Sequence, residues 1–190
     1  IEKKIINAIQ NINILRKNSS IGRSIIDGKG SFRVSEIIVP SSEKSLSLRK
    51  AKTDDCIDYF NWANDPLVRL NSFKSKKIKF LKHKKWYYKK IKNKNSFLYV
   101  LETNKLPVGQ IRFDCNKNNM LLDYSLDPIV RGRGWGKKLI KLGLDKIKRV
   151  KPNLILAKVK SSNHASISIF SKLGFERNNF GKKIHFYKFS

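Results

Sequence analysis

Acidic side chains are scarce in this chain: 14 Asp and Glu stand against 42 Lys and Arg among 190 residues, a formal net charge of +28. Such a surface repels polycations and attracts polyanions, whether nucleic acid, an anionic membrane or a phosphate-rich ligand. The charge does not by itself mark a site, because lysine, asparagine and isoleucine are abundant together, as AT-rich codon usage alone would make them. Eleven lysines and no acidic residue lie between Lys74 and Lys94, which suits a solvated helix face as well as a binding patch. Cysteine is nearly absent. Cys56 and Cys115 have no Cys or His partner at ligand spacing, which argues against a disulfide framework, gives no reason to expect a metal, and fits a reducing cytoplasm. No apolar run approaches the roughly 18 residues that span a bilayer. Residues 1–10 are a charged amphipathic segment without the layout of a secretory signal. The first residue is Ile1 rather than Met, as expected of a processed or truncated product.

What is present suffices for one folded domain. Apolar residues make up 40% of the chain, too many for overall disorder, and a domain of ~150 residues buries roughly 70% of the surface its unfolded chain exposes. Residues 1–38 read as one or two short helices about the turn Ile26-Asp27-Gly28-Lys29-Gly30, and Pro40-Ser41-Ser42 reads as a linker. A segment 1–44 is thereby set apart from a domain over 45–190. From Leu46 the pattern predicts a strand over 46–51, a helix capped within Thr53-Asp54-Asp55 and running to about Asn64, and an interruption or restart at Asp65-Pro66. A second helix over 78–91 carries the apolar stripe Phe80, Tyr87 and Ile91, with Leu81 and Tyr88 beside it. Strands over 97–102, 108–114 and 120–126, joined by turns of hairpin length, predict an antiparallel meander. A helix over 135–150, a strand over 154–159, a helix over 164–173 and strands near 175–178 and 183–189 complete a mixed α/β (α+β) sheet flanked by helices.

The sharpest motif is Arg131-Gly132-Arg133-Gly134-Trp135-Gly136, between a strand and an amphipathic helix. Glycines there permit positive φ and close backbone approach, so successive N–H groups at the helix start can converge on an anion such as a pyrophosphate. A tight connection would use the same residues. The order lacks the Lys followed by Ser or Thr of a P-loop and the third spaced glycine of the dinucleotide fingerprint.

This hexapeptide resembles the acetyl-CoA motif of the GNAT superfamily of N-acetyltransferases, Arg or Gln, two residues, Gly, one residue, Gly or Ala, which Arg131, Gly134 and Gly136 match. Asp127-Pro128 precedes it as in many members, and the stretch from Asn163 through Phe175 is similar to the second family signature. The resemblance implies the GNAT acyl-CoA N-acyltransferase fold, a mostly antiparallel mixed sheet whose fourth and fifth strands splay apart. It implies acetyl-CoA as co-substrate and no metal. The pantetheine arm would lie in the gap between strands 120–126 and 154–159, pairing as an added strand does. The implied cofactor contacts are Leu126, Arg131, Gly132, Arg133, Gly134, Trp135, Gly136, Asn163, Phe170 and Lys172. Asn163 is equally the N-cap of the following helix.

Acetyl transfer to an amine needs an uncharged nucleophile, a polarised thioester carbonyl and a proton for the departing thiolate. In the superfamily a tyrosine seven residues after the asparagine often supplies that proton; here Phe170 occupies the position. A thiol of pKa about 8.5 can receive its proton from solvent or from the attacking amine. Tyr124 is a candidate replacement, the alternative being a residue packed in the sheet. Candidate bases are His83, on the stripe of the second helix, and the strand carboxylates Asp123 and Asp114, with packing and solvation as their ordinary alternatives.

Trp62-Ala63-Asn64-Asp65-Pro66-Leu67-Val68-Arg69, then Asn71-Ser72-Phe73, His83 and Trp86, is similar to a GNAT subgroup of nonulosonic acid pathways such as that of pseudaminic acid. Those members acetylate the 4-amino group of a UDP-linked amino-dideoxy sugar; Ala63 departs from the arginine usual in that pattern. The likeness implies an acceptor site built from Trp62, Asn64, Asp65, Arg69, Ser72, Phe73, His83 and Trp86, with aromatic rings to stack on sugar or uracil and Arg69 to meet a phosphate. Asp27-Gly28-Lys29-Gly30 with Arg33-Val34 looks like the closing segment of the UDP-sugar hydrolase of the same pathway, which would make the chain the carboxyl-terminal part of a fusion. The expected partners are a UDP-amino sugar and a second copy in a homodimer, with no membrane. A rival enzyme reading is acetylation of a protein amino terminus of the ribosomal-protein type. A rival of another class is a basic nucleic-acid-binding module, with lysines 74–94 as footprint and Trp86, Tyr87 and Tyr88 as stacking groups.

Overall fold

The computed structural model describes residues 45–117 and 119–189, together with Gly30, Ser31 and Val34. The chain divides into two units between Pro40 and Ser41, and the fold below is that of the second. The helices, linker and hydrolase-like segment expected within residues 1–44 lie outside the described residues, except that Gly30, Ser31 and Val34 are helical.

The elements are β1 (Leu46–Lys50), α1 (Cys56–Asn64), α2 (Pro66–Asn71), α3 (Phe80–Ile91), β2 (Ser96–Thr103), β3 (Leu106–Asn116), β4 (Asn119–Leu126), α4 (Trp135–Ile147), β5 (Leu154–Lys160), α5 (His164–Lys172), β6 (Glu176–Phe180) and β7 (Lys183–Phe189). Three helices rather than two lie between β1 and β2. The chain stops and restarts at Asp65 because its carboxylate accepts the Val68 N–H at 3.0 Å while Pro66 occupies the first helical position, where its missing N–H costs nothing. The third helix starts at Phe80 instead of 78 because both the N–H and the carbonyl of Ile78 bond the side-chain amide of Asn64, at 2.8 and 3.1 Å. Asp55 does not cap α1. Its carboxylate takes the Lys52 N–H at 2.6 Å and two guanidinium nitrogens of Arg49 at 2.7 Å each, tying the end of β1 to the helix start. The helix expected over 135–150 changes to a tighter turn over Lys148–Val150.

The strands form one seven-stranded sheet in the order β1-β2-β3-β4-β5-β7-β6. Every pairing is antiparallel except β4 with β5. Strand alternation assigns side chains to faces. Leu98 and Val100 pack with Tyr59, Trp62 and Tyr87 of α1 and α3 on one face. Their cross-strand partners Arg112 and Gln110 share that face. On the other face Ile111 and Phe113 receive α4 at Gly143, where an added Cβ would stand 2.6 Å from Ile111 Cδ1; only glycine permits that approach. Phe170 of α5 is buried with its ring stacked on Phe186 of β7 at 5.1 Å.

The parallel pair is what shapes the site. β4 and β5 are in register only from Asn119↔Leu154 to Leu122↔Ala157. Beyond Leu122, β4 stays with β3 as far as Gly109↔Leu126, and beyond Ala157, β5 stays with β7 as far as Lys160↔Lys183. The two half-sheets therefore part, and the sheet opens between residues 123–126 and 158–160.

Candidate active site

The turn after β4 leads to the opening. Leu126 ends the strand, a short turn over Pro128–Val130 follows, and Gly132 and Gly134 adopt φ of +80° and +78°. Nothing lies within 4 Å of where a Cβ would stand on either glycine, so the backbone there faces open space. α4 starts at Trp135 with Gly134 as its cap residue. The first amides of a helix have no carbonyl above them and carry the positive end of its dipole; together with the left-handed turns at 132 and 134 they make a concavity suited to an anion. Gly136 admits the packing beside it, since a Cβ there would stand 2.8 Å from Ile169 Cδ1 of α5. Arg133 lies over the Trp135 ring at 5.5 Å.

On the face covered by α1, α2 and α3, a cavity of about 290 Å³ reaches the same strand end; its walls include Arg69, Ser72, His83, Trp86, Asp123 and Tyr124. Gln110, Arg112 and Ser125 complete its sheet side. The Arg69 guanidinium is anchored on the Lys74 carbonyl at 3.1 Å and on Ser72 Oγ at 3.0 Å. Arg112 lies over the Trp86 ring at 5.0 Å and pairs with Asp114 at 2.9 Å and Asp123 at 3.6 Å. An open glycine turn at a helix start, a parted sheet and a polar cavity thus meet at one end of β4.

The profile of the acetyltransferase (GNAT) domain matches residues 45–176. The chain belongs to the GNAT acetyltransferase family. An uncharacterized N-acetyltransferase of Methanocaldococcus jannaschii is 28% identical over 171 residues, spanning 84% of this chain and 74% of that protein. Two solved structures share the fold. The spermidine N-acetyltransferase from Vibrio cholerae in complex with CoA and spermine has a TM-score of 0.70 at 18% identity, over 77% of this chain and 96% of its own. The ribosomal-protein-alanine N-acetyltransferase from Brucella melitensis has a TM-score of 0.67 at 18% identity, over 76% and 98%. As a GNAT enzyme the protein takes its acetyl group from acetyl-CoA. The open glycine turn and the parted strands fit that donor's diphosphate and extended arm.

Against the GNAT pattern, the sequence-predicted residues divide. Tyr124 borders the cavity at the sheet opening, but its ring is turned to the other face from Asp123, as for consecutive strand residues, toward Gly136 and Ser166. Its hydroxyl is 2.9 Å from Ser166 Oγ, its ring edge meets Phe170 at 5.9 Å, and burial raises its pKa. Asp123 is exposed and its carboxylate accepts from Gln110 Nε2 at 3.2 Å. His83 is 3% exposed; burial, with Arg112 and Arg69 nearby, lowers its pKa to about 4 against a backbone hydrogen bond at Cys56, so its imidazole is neutral at pH 7. Asn163 Oδ1 accepts the Ser166 N–H at 3.2 Å as the N-cap of α5. Lys172 is exposed at the end of α5.

Several predicted residues are not brought to the cavity. Trp62 is buried, its indole N–H donating to Asp127 Oδ2 at 3.0 Å. Asn64 braces Ile78, and Asp65 caps α2 while pairing with Arg131 at 2.8 Å. Arg131 also donates twice to the Leu126 carbonyl, at 3.1 and 2.9 Å, so its guanidinium fastens the end of β4 to the start of α2. Phe73 lies outside the cavity beneath Lys183 Nζ at 5.4 Å. Asp114 is held below the usual carboxylate range: burial works against it, but Lys90, Arg112 and Ser96 prevail. Sequence reasoning missed Gln110 and Arg112. The signal was available, because Gln110, Arg112 and Asp114 alternate with Ile111 and Phe113 on a central strand, where a covered face is ordinarily apolar.

Proposed function

We propose that the protein acetylates the 4-amino group of a UDP-linked amino-dideoxy sugar, with acetyl-CoA held at residues 132–136 and along 123–126. The observation that carries the acceptor assignment is the cavity wall, which sets the guanidinium groups of Arg69 and Arg112 beside the carboxylate of Asp123, with Asp114 pairing Arg112 from outside the wall. Such a wall, under a molecular charge of +28, favours an anionic acceptor and disfavours a polyamine. The Trp86 ring, already under Arg112, offers a face for a sugar or base.

Acetyl-CoA supplies an acyl group on a good thiolate leaving group. The chain supplies placement and protons. The basic wall favours the acceptor amine in its uncharged, nucleophilic form. Once the amine has attacked the thioester and become cationic, Asp123, open to solvent at the cavity edge, takes the surplus proton through water. Tyr124, kept as a neutral phenol by burial and oriented by Ser166, donates to the departing sulfur, the role left open by Phe170. Bringing the two reactants together contributes the larger part of the acceleration. The direct test is thiol release from acetyl-CoA with three acceptors: a UDP-4-amino sugar, a ribosomal amino-terminal peptide and spermidine. Turnover is expected with the nucleotide sugar; turnover with spermidine alone would refute the assignment.

A further inference from the structure

Among the described residues, four buried side-chain atoms have no hydrogen-bond partner: Arg69 Nε, His83 Nε2, Gln110 Oε1 and Arg112 Nε. All four belong to residues lining the same cavity. Buried polar atoms are ordinarily paired, so orphans gathered in one cavity point to a ligand that pairs them. Arg112 Nε is set aside, because it lies 2.9 Å from an Asp114 oxygen, off the N–H direction, and its charge is met there.

The other three have fixed polarity. Arg69 Nε–H can only donate. Gln110 is 6% exposed, and its amide nitrogen donates to Asp123 Oδ2 at 3.2 Å and Ser125 Oγ at 3.3 Å; this fixes the amide and leaves Oε1, on a residue of the cavity wall, as an unpaired acceptor. The His83 ring is neutral at pH 7 under burial, and Nε2 is its unpaired nitrogen; in the tautomer with the proton on Nδ1, the Nε2 lone pair is a second acceptor.

We propose that His83 Nε2 and Gln110 Oε1 accept the two N–H bonds of the acceptor's uncharged amine, while Arg69 Nε–H donates to an oxygen of the same molecule. The inference rests on reading this cavity as the acceptor site and adds Gln110 as a specificity-determining residue. An amine held by both N–H bonds keeps its lone pair unengaged for attack. The set of two acceptors and one donor matches an amine with an oxygen function nearby, as in an amino sugar. A polyamine has no oxygen for Arg69 and carries cations that the Arg69 guanidinium repels; a site built on such polar pairs rejects analogues that leave them unmet.

The test pairs kinetics with a direct view of the histidine. Gln110→Met keeps the side chain's length and removes the acceptor oxygen. It is expected to lower kcat/KM for the acceptor about 10- to 100-fold, leaving KM for acetyl-CoA and the CoA-induced rise in Tm at wild-type values, which also shows that the variant folds. In the wild type, the ¹⁵N resonance of His83 Nε2 is expected to move on adding the UDP-amino sugar and not on adding spermidine. If a peptide amino terminus is the acceptor and shows the same Gln110→Met loss and His83 shift, the nucleotide sugar is retired and the hydrogen-bond assignment is supported. Sugar turnover with Gln110→Met and the His83 resonance both unaffected would overturn the inference and leave the sugar standing. Preference for spermidine would overturn both.

Discussion

His83 combines near-complete burial, a neutral ring and a place on the cavity wall, and its stability effect has a definite sign. Its folded pKa of about 4 lies below the ordinary value near 6.5. Between the two the unfolded chain binds a proton that the folded chain excludes, so stability is full above the upper value and falls as pH drops through the window. The difference amounts to on the order of 3 kcal/mol. Denaturant midpoints measured from pH 7 to pH 4 should fall more steeply for the wild type than for His83→Leu; parallel curves would show that the ring is protonated in the fold. Tyr124 makes the second prediction at this scale. Tyr124→Phe removes only the hydroxyl near Ser166 Oγ, and kcat should drop about 100-fold with KM for acetyl-CoA little changed. An undiminished kcat would make solvent the proton source. His83 and Tyr124 were legible as candidates because their types and the period of their elements were visible. The pairings of Trp62 with Asp127 and of Arg131 with Asp65 were not legible, because the partners are distant in sequence and no local pattern announces them.

Elements were more legible than residues, since strand alternation and helical periodicity are local properties. The three-strand meander and the final helix, strand, helix, two-strand order follow the pattern to within a few residues at each end. The extra helix α2 was hidden in the phrase Asp65-Pro66, which reads as a break or a restart until the Val68 N–H is seen on Asp65. That carboxylate joins two elements, capping α2 and holding Arg131 beside the Leu126 carbonyl. Asp65→Ala should cost about 1 to 2 kcal/mol and raise KM for the acceptor, because α2 carries Arg69; urea titration and initial rates measure the two effects. An unaltered acceptor KM would mean that α2 is positioned without the cap. The splay of β4 from β5 had no signature in either strand. It entered as an implication of family resemblance, and its physical cause is that each strand keeps its outer partner while the inner pairing stops at Leu122↔Ala157.

At the scale of the whole molecule, a charge of +28 attracts coenzyme A and nucleic acid alike, and distance separates them. Screening acts over about 10 Å at 0.1 M salt, so affinity that rests on a diffuse lysine face fades as salt rises, whereas contact with backbone amides at a helix start persists. The CoA-induced rise in Tm should therefore survive 0.3 M salt, while any retention on a polynucleotide column should not; the reverse pattern would favour a nucleic-acid module. Neither composition nor charge carried this distinction, because both describe the surface and the donor site is a matter of backbone shape. Acetyl transfer by the proposed route requires a diphosphate gripped at residues 132–136 and an acyl arm laid along the parted end of β4. A backbone amide NMR titration with acetyl-CoA tests it most directly. The largest shifts are predicted at Gly132, Gly134, Trp135 and Gly136 and along residues 123–126; shifts confined to the lysine-rich face of α3, or none at all, would contradict it.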